Sequence, residues 1–518
     1  MFLALGVPAA QVAAQSVPVI MSENVQLITN FPDTLMISAE FAQTGDYLYT
    51  SSLDSVSAFD VSDPRDPQLL DTIINATFEN ESMTYGERLI GGTLRRFVIV
   101  GFDQYNVNPL DIEHLNVGGQ AFMLVDVTDP NNIVAGTPVN TTLSTHTVQC
   151  VNPRNCKYAY TAGTDGQFEI IDITDPDAPT VLKVVDSPAS GPGLPAFGGG
   201  AGHYWDFDTN QDIGWHTGSG GAAAFDVSDP ANPKPIQATN AEGLKTPYND
   251  FILHNTRRPN PGKFKAGTAP DVDKGNVLLV TEEDYANDGE EIICEQQNGN
   301  EAGTFQTWYI PDLNGQKYRA NNPSGAPSKG TIKPLDIVNA PAEFGENAPL
   351  HTPVGVFCSG HWFDYHQDGI VAEGYYQQGM WLQDVTDAKN IKYYGYYTPL
   401  VSEIWDAYWV PKRDADGHLL PEKTNILYTA DAVRGLDVLE VDVPSTGGGP
   451  APDVNDNDGN GNGNGNGNGD GNGNDGDDSG VGDTGGEQLP ATGGTPLFVL
   501  LGAGLLAAAA LLSRRRRA

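Results

Sequence analysis

Basic residues are scarce in this chain: 28 Lys and Arg stand against 67 Asp and Glu, a formal net charge of −39. Reading a phosphate backbone needs clustered cations, so the balance argues against nucleic acid as a partner. It favours cations, basic partners or a salty medium in which self-repulsion is screened, or it serves solubility alone. Cysteine is rarer still, at four in 518 residues. No two of them form a CxxC pair, which argues against a thiolate zinc site, and an even number suits an exported protein. No GxSxG elbow, HExxH helix or P-loop pattern occurs, so familiar hydrolase and nucleotide-binding mechanics get no support. Helical 3.6-residue periodicity is missing too. What the chain has in quantity is glycine (60) and proline (36), which suit a turn-rich all-β protein.

One short phrase keeps returning. It reads FDVSDP at Phe59–Pro64, VDVTDP at Val125–Pro130, IDITDP at Ile171–Pro176, FDVSDP at Phe225–Pro230 and QDVTDA at Gln383–Ala388, with a truncated LDVLEV at Leu436–Val441. Each copy starts with the apolar/polar alternation of a half-buried strand. In most copies Asp-Pro then stops it, because Asp caps the turn while Pro fixes φ and offers no N–H. Recurrence at roughly 40–50 residues is the signature of stacked β-modules such as propeller blades. The gap of 158 residues between Asp226 and Asp384 is too long for one unit. A degenerate copy built from Asn276–Thr281 and Phe305–Asp312 fills it and brings the count to seven.

The predicted fold class is therefore all-β: a seven-bladed β-propeller over residues 23–442, followed by a disordered stalk and a C-terminal hydrophobic segment. Glu23–Ile28 is an isolated strand, and the last repeat lacks its outer strand, so the two are expected to pair and close the ring without free sheet edges. Insertions at Asn106–Gly119, Asp186–Gly200, Pro259–Lys274 and Asp284–Pro341 read as loops on the propeller faces, where binding usually lives.

The repeated phrase, followed by an apolar strand and closed by Arg434-Gly435-Leu436-Asp437-Val438-Leu439, resembles the LVIVD repeat of bacterial and archaeal surface proteins. The resemblance covers most of Glu23–Asp442 and implies a β-propeller. It implies little about activity, since a fold does not dictate one.

Aligned inner strands share a chemical pattern. Gly202-His203-Tyr204-Trp205-Asp206-Phe207 matches Gly360-His361-Trp362-Phe363-Asp364-Tyr365, and Ser402-Glu403-Ile404-Trp405-Asp406-Ala407 fits the same frame. The other units place His146, His254, Glu40 and Glu81 at that position, so four His and three Glu are expected to converge on one channel mouth. Imidazole and carboxylate together suit a divalent transition metal, with Asp206 and Asp364 expected to orient the ligating histidines from behind. The same residues would also serve as channel packing that bonds neighbouring blades or holds water. His114, His216, His351, His366 and His418 fall outside the frame and are expected on the surface or in loops.

Cys150 and Cys156 flank a turn short enough to pair them, which leaves Cys294 for Cys358. Met1–Gln15 is apolar and small-residue-rich, with Val12-Ala13-Ala14 resembling a signal-peptidase site; lacking a basic start, it is expected to be part of a longer signal peptide. Residues 445–488 are Asn/Gly/Asp-rich, with too little apolar surface to fold. Asn/Asp spacing there fails as calcium ligation, because Val454 and Gly465 stand where ligands belong. Over residues 489–518, Leu489-Pro490-Ala491-Thr492-Gly493, an apolar run from Leu497 to Leu512 and Arg514–Arg517 resemble the LPXTG cell-wall sorting signal of Gram-positive bacteria. That resemblance implies sortase and peptidoglycan as partners. It also implies cleavage between Thr492 and Gly493, and membrane contact only through the apolar run before sorting.

Two readings of the propeller's own task follow. In one it is a surface binding or adhesion module whose unknown extracellular ligand meets Trp215, Trp308 and Tyr375. In the other it is an extracellular metal-dependent enzyme, a hydrolase or an oxidase, that uses the His/Glu ring.

Overall fold

Each complete copy of the repeated phrase forms the third strand of a sheet and the turn that ends it. The first Asp caps the turn: carboxylates of Asp60, Asp126, Asp172, Asp226 and Asp384 accept the backbone N–H two residues on, at 2.8–3.0 Å. The second Asp repeats the bond two residues further, from Arg65, Asn131, Asp177, Ala231 and Lys389. Each phrase thus carries two Asx turns in succession, which is why both acids recur.

The structure is a computed structural model. It describes residues 18–451, apart from 33–34, 53–54, 75–80, 103–119, 164–166, 188–201, 209, 240–247, 249–251, 284–302, 316–329 and 345–357. The chain divides into two compact units, Met1–Gly459 and Asn460–Ala518, and only the first contains described residues. The signal peptide, most of the stalk and the sorting signal lie outside them.

The strands form seven antiparallel sheets, the blades of a β-propeller. Their inner strands are Ser38–Phe41, Thr84–Ile90, Thr147–Cys150, Gly202–Phe207, Ile252–Arg257, Phe363–His366 and Ile404–Arg413. Each contacts the inner strand of the next blade, and the seventh contacts the first. The degenerate fifth blade is present, with Val277–Glu283 and Phe305–Tyr309 as its middle strands and Lys333–Val338 outermost.

The ring closes as expected. Val25–Phe31 pairs antiparallel with Gly435–Val441, Val25 opposite Val441 and Phe31 opposite Leu436. Asn30 locks the register by donating to the Asp437 carboxylate at 2.7 Å and to the Arg434 carbonyl at 3.0 Å. Val19–Met21 does something the sequence did not announce: it adds a fifth strand to blade 6, beside Lys392–Pro399. Three residues carry too little alternation to be recognised as a strand.

Apolar side chains fill the spaces between blades. Trp215, Trp308 and Tyr375, read as possible ligand contacts, are fully buried in this packing. His216 and His366 are also buried rather than superficial. His216 stacks on Trp205 with Nδ1 2.5 Å from Ser187 Oγ, and His366 packs on Trp409. Both sit in middle or inner strands whose pattern already put aromatic rings inside. His418 is partly exposed, 3.2 Å from Asp414, and His114 and His351 lie outside the described residues. Cys150 and Cys156 form a disulfide across their turn. Cys358 is disulfide-bonded as well, and its expected partner Cys294 lies outside the described residues.

Candidate metal centre

The inner strands begin on one face of the propeller, and four of them, with the residues just before them, carry histidine there. In blades 4 and 5 the register slips between Gly202 and Trp205 and between Leu253 and Thr256. His203 and His254 therefore sit in bulges, which re-aim side chains out of the regular pleat. His146 immediately precedes its strand, and His361 stands two residues before its own.

Their Nε2 atoms surround the carboxylate of Glu81. Oε2 lies 2.6 Å from His146, and Oε1 lies 2.9 Å from His254, 3.3 Å from His361 and 3.6 Å from His203. His146 and His203 meet Nε2 to Nε2 at 3.0 Å. A sixth group that the sequence did not single out, Glu283, reaches to 3.7 Å from His361 and 3.9 Å from His254. It closes the second strand of blade 5, and Tyr376 donates its hydroxyl to it. Tyr376 holds φ at +49°, unusual for a bulky residue, and is kept there by reciprocal backbone bonds with Ile404.

The backs of the rings settle their tautomers. His203 Nδ1 donates to the His254 carbonyl at 3.1 Å, and His361 Nδ1 donates to the Trp405 carbonyl at 2.8 Å. A carbonyl only accepts, so both rings carry a proton on Nδ1 and turn Nε2 inward, where the neutral form of the ring offers a lone pair. These carbonyls take the place expected for Asp206 and Asp364, which bind elsewhere. Asp206 accepts from Arg257 at 3.1 Å and Asp364 from Lys423 at 2.7 Å.

Glu40 also stands apart. Its charged neighbours are Arg257, Lys423, Asp364 and Asp206, and burial pushes its carboxyl up to about 8. It therefore belongs to the aspartate layer three positions along the inner strand, and Ile37, packed with Tyr376 and Trp405, takes the frame position in blade 1. The alignment slipped by three residues because blade 1 has neither His nor Trp to fix it. Glu403 stays close but is occupied: Trp405 donates to it at 3.4 Å, and it joins none of the ligand sets.

Burial dominates the electrostatics. It lowers His203 far below the ordinary imidazole range, with His254 adding repulsion, and takes His254 itself to about 3. Both rings are neutral, the form that ligates a metal. Burial also pushes Glu283 up to about 7. Burial would raise Glu81 too, but its interactions with the surrounding imidazoles, His146 first and then His203 and His254, outweigh it and hold the carboxyl well below its ordinary range. Burial would lower His361, yet its bond to Glu81 and the charge of Glu283 raise it. Trp362, 4.5 Å from His254, and Trp405, 5.0 Å from His361, add apolar walls that strengthen every charge interaction inside. The side chain of His146 is 12% exposed, whereas His254 and His361 are at 0–1%, so the centre opens to solvent on the His146 side.

Among the described residues no helix is long and apolar enough to cross a membrane, and the run from Leu497 to Leu512 lies outside them. Comparison with curated proteins returns no match. Among solved structures, the WD40 repeats of RRP9 align at 8% identity, covering 82% of this chain and 99% of that one with a TM-score of 0.44. Residues 483–518 match the family model of the LPXTG cell wall anchor motif. The chain is thus a secreted β-propeller that sortase processing attaches covalently to the peptidoglycan of a Gram-positive cell wall.

Proposed function

We propose that this wall-anchored propeller is an extracellular metal-dependent enzyme, with a transition-metal centre held by His146, His203, His254, His361 and Glu81. The observation that carries the reading is the meeting of acceptors. Two imidazole nitrogens at 3.0 Å, beside a carboxylate at 2.6–3.6 Å, are crowded electron-rich atoms that only shared protons or a metal cation can hold together, and a metal satisfies all of them at once. Buried neutral imidazoles with a carboxylate suit zinc, iron or copper, and carbonyls behind His203 and His361 fix the rings as outer partners of metal ligands do. The open side at His146 supports catalysis over a purely structural ion, since a substrate or activated water needs such a position. Adhesion through Trp215, Trp308 and Tyr375 loses its contacts, because all three are buried. The resemblance of the repeated phrase to the LVIVD repeat fits either task.

Metal analysis of the purified chain before and after dialysis against a chelator tests the reading. The expected result is a near-stoichiometric transition metal, lost in a folded His203→Ala/His361→Ala variant, with hydrolytic or oxidative turnover lost alongside it. A folded chain that carries no metal and takes up none of zinc, copper, iron or manganese would overturn it.

A further inference from the structure

Resting on that metal-centre reading, we infer that the site takes two divalent transition-metal ions bridged by the Glu81 carboxylate. The two oxygens of Glu81 address different histidines: Oε2 faces His146 at 2.6 Å, and Oε1 faces His254 at 2.9 Å and His361 at 3.3 Å. Ligating atoms that all lie within 4.8 Å of one another form three triads at the centre: Glu81/His146/His203, Glu81/His254/His361 and His203/His254/Glu283. None of these sets holds all four histidines. One ion with bonds of ~2.1 Å would bring any two of its ligand atoms to within ~4.2 Å, so a single ion does not gather the four.

Two ions divide the ligands naturally. Neighbouring ligands of one ion stand ~3.0–3.4 Å apart at these bond lengths. His146 and His203, at 3.0 Å, match a pair on the first ion, and Glu81 Oε1 with His254 and His361, at 2.9 and 3.3 Å, matches a set on the second. Glu283 stands beside the second ion and adds its carboxylate there, while the third triad links the two halves. A carboxylate that offers one oxygen to each ion spans the ~3.5–4 Å separation of two-metal sites. Charge agrees as well: four neutral imidazoles contribute none, and Glu81 and Glu283 offset half of the four positive charges. The remainder suits a hydroxide or an anionic substrate on the open side. The two positions differ in access, since His146 is 12% exposed and His254 is at 0%.

The test is metal counting on the full chain, stripped with a chelator and reloaded with Zn(II), beside electron paramagnetic resonance of the Cu(II)-loaded form. Two zinc ions per chain are expected, leaving in two phases, the outer one first, with spin-coupled Cu(II). His146→Ala and His361→Ala should each keep one ion. A wild-type count of one, with isolated Cu(II) spectra, would overturn the bridged pair and leave the metal-centre reading standing. A count of zero would remove both.

Discussion

Oε1 of Glu81, just before the inner strand of blade 2, lies 2.9 Å from Nε2 of His254, in the inner strand of blade 5, although 173 residues separate them. Only a closed ring brings those strands face to face, so the fold and the candidate centre depend on each other. Loss of the ion would leave imidazoles and carboxylates crowded in a buried space with only protons to hold them together. Metal-stripped protein should therefore melt below the loaded form, and free ion at 100 times its dissociation constant should restore about 2.7 kcal/mol. Differential scanning calorimetry with and without chelator checks this, and identical melting points would count against a folded-state metal.

Glu40 and Glu81 were equivalent in the sequence frame and are not equivalent in the structure. Glu40→Gln should leave metal content unchanged, because its neighbours are Arg257, Lys423, Asp364 and Asp206. Glu81→Gln should reduce metal content at least tenfold at limiting ion, since a ligand carboxylate loses its charge. Metal loss in the Glu40 variant would restore the original alignment.

How much of this was legible follows from the repeat. The phrase with its two capping acids occurs in most blades, so blade count, the degenerate fifth blade and the closing strand could be read from spacing alone. His203 and His361 were legible because Trp or Phe and Asp follow each in the same order. Glu40 was misplaced for lack of such markers. Glu283 was invisible to a search along inner strands, since it ends a second strand; its one signal was an acidic pair, Glu282-Glu283, closing the apolar run Val277–Val280. Asp206 and Asp364 were assigned to the histidines because nothing in the sequence placed Arg257 and Lys423 beside them.

Glu373, which is not among the proposed ligands, offers a pH test. Burial between blades 5 and 6 raises its carboxyl from 4.5 to about 8, despite bonds from Thr281 and Gln383. The folded state holds a proton that the unfolded chain releases, so this contribution is complete below about 4.5 and is lost as pH rises to about 8. Its slope is at most about 1.4 kcal/mol per pH unit. Urea unfolding at pH 5 and pH 8 should show a smaller difference for Glu373→Gln than for wild type, and an unchanged difference would refute the assignment.

Arg258 and Asp208 form a buried ion pair, with Trp215 donating to the same carboxylate at 3.0 Å. Arg258→Met strands a buried acid and should cost about 3–5 kcal/mol in chemical denaturation. Adding Asp208→Asn should recover part of the loss; a double variant as unstable as the sum of its parts would show that packing, not pairing, is at stake.

Residues 18–31 supply the outer strand of blade 7 and the added strand of blade 6. A chain starting at residue 32 would expose both edges, and it should aggregate or melt far below wild type in light-scattering and thermal scans. Unaltered melting would mean that the ring closes without its N-terminal strand.

The central claim is tested most directly by X-ray absorption at the metal edge of the loaded full-length chain. The account predicts a nitrogen and oxygen shell at ~2.0–2.1 Å with the outer-shell scattering of imidazole, absent from the His203→Ala/His361→Ala variant. A shell of water oxygens alone, unchanged by that double substitution, would contradict it.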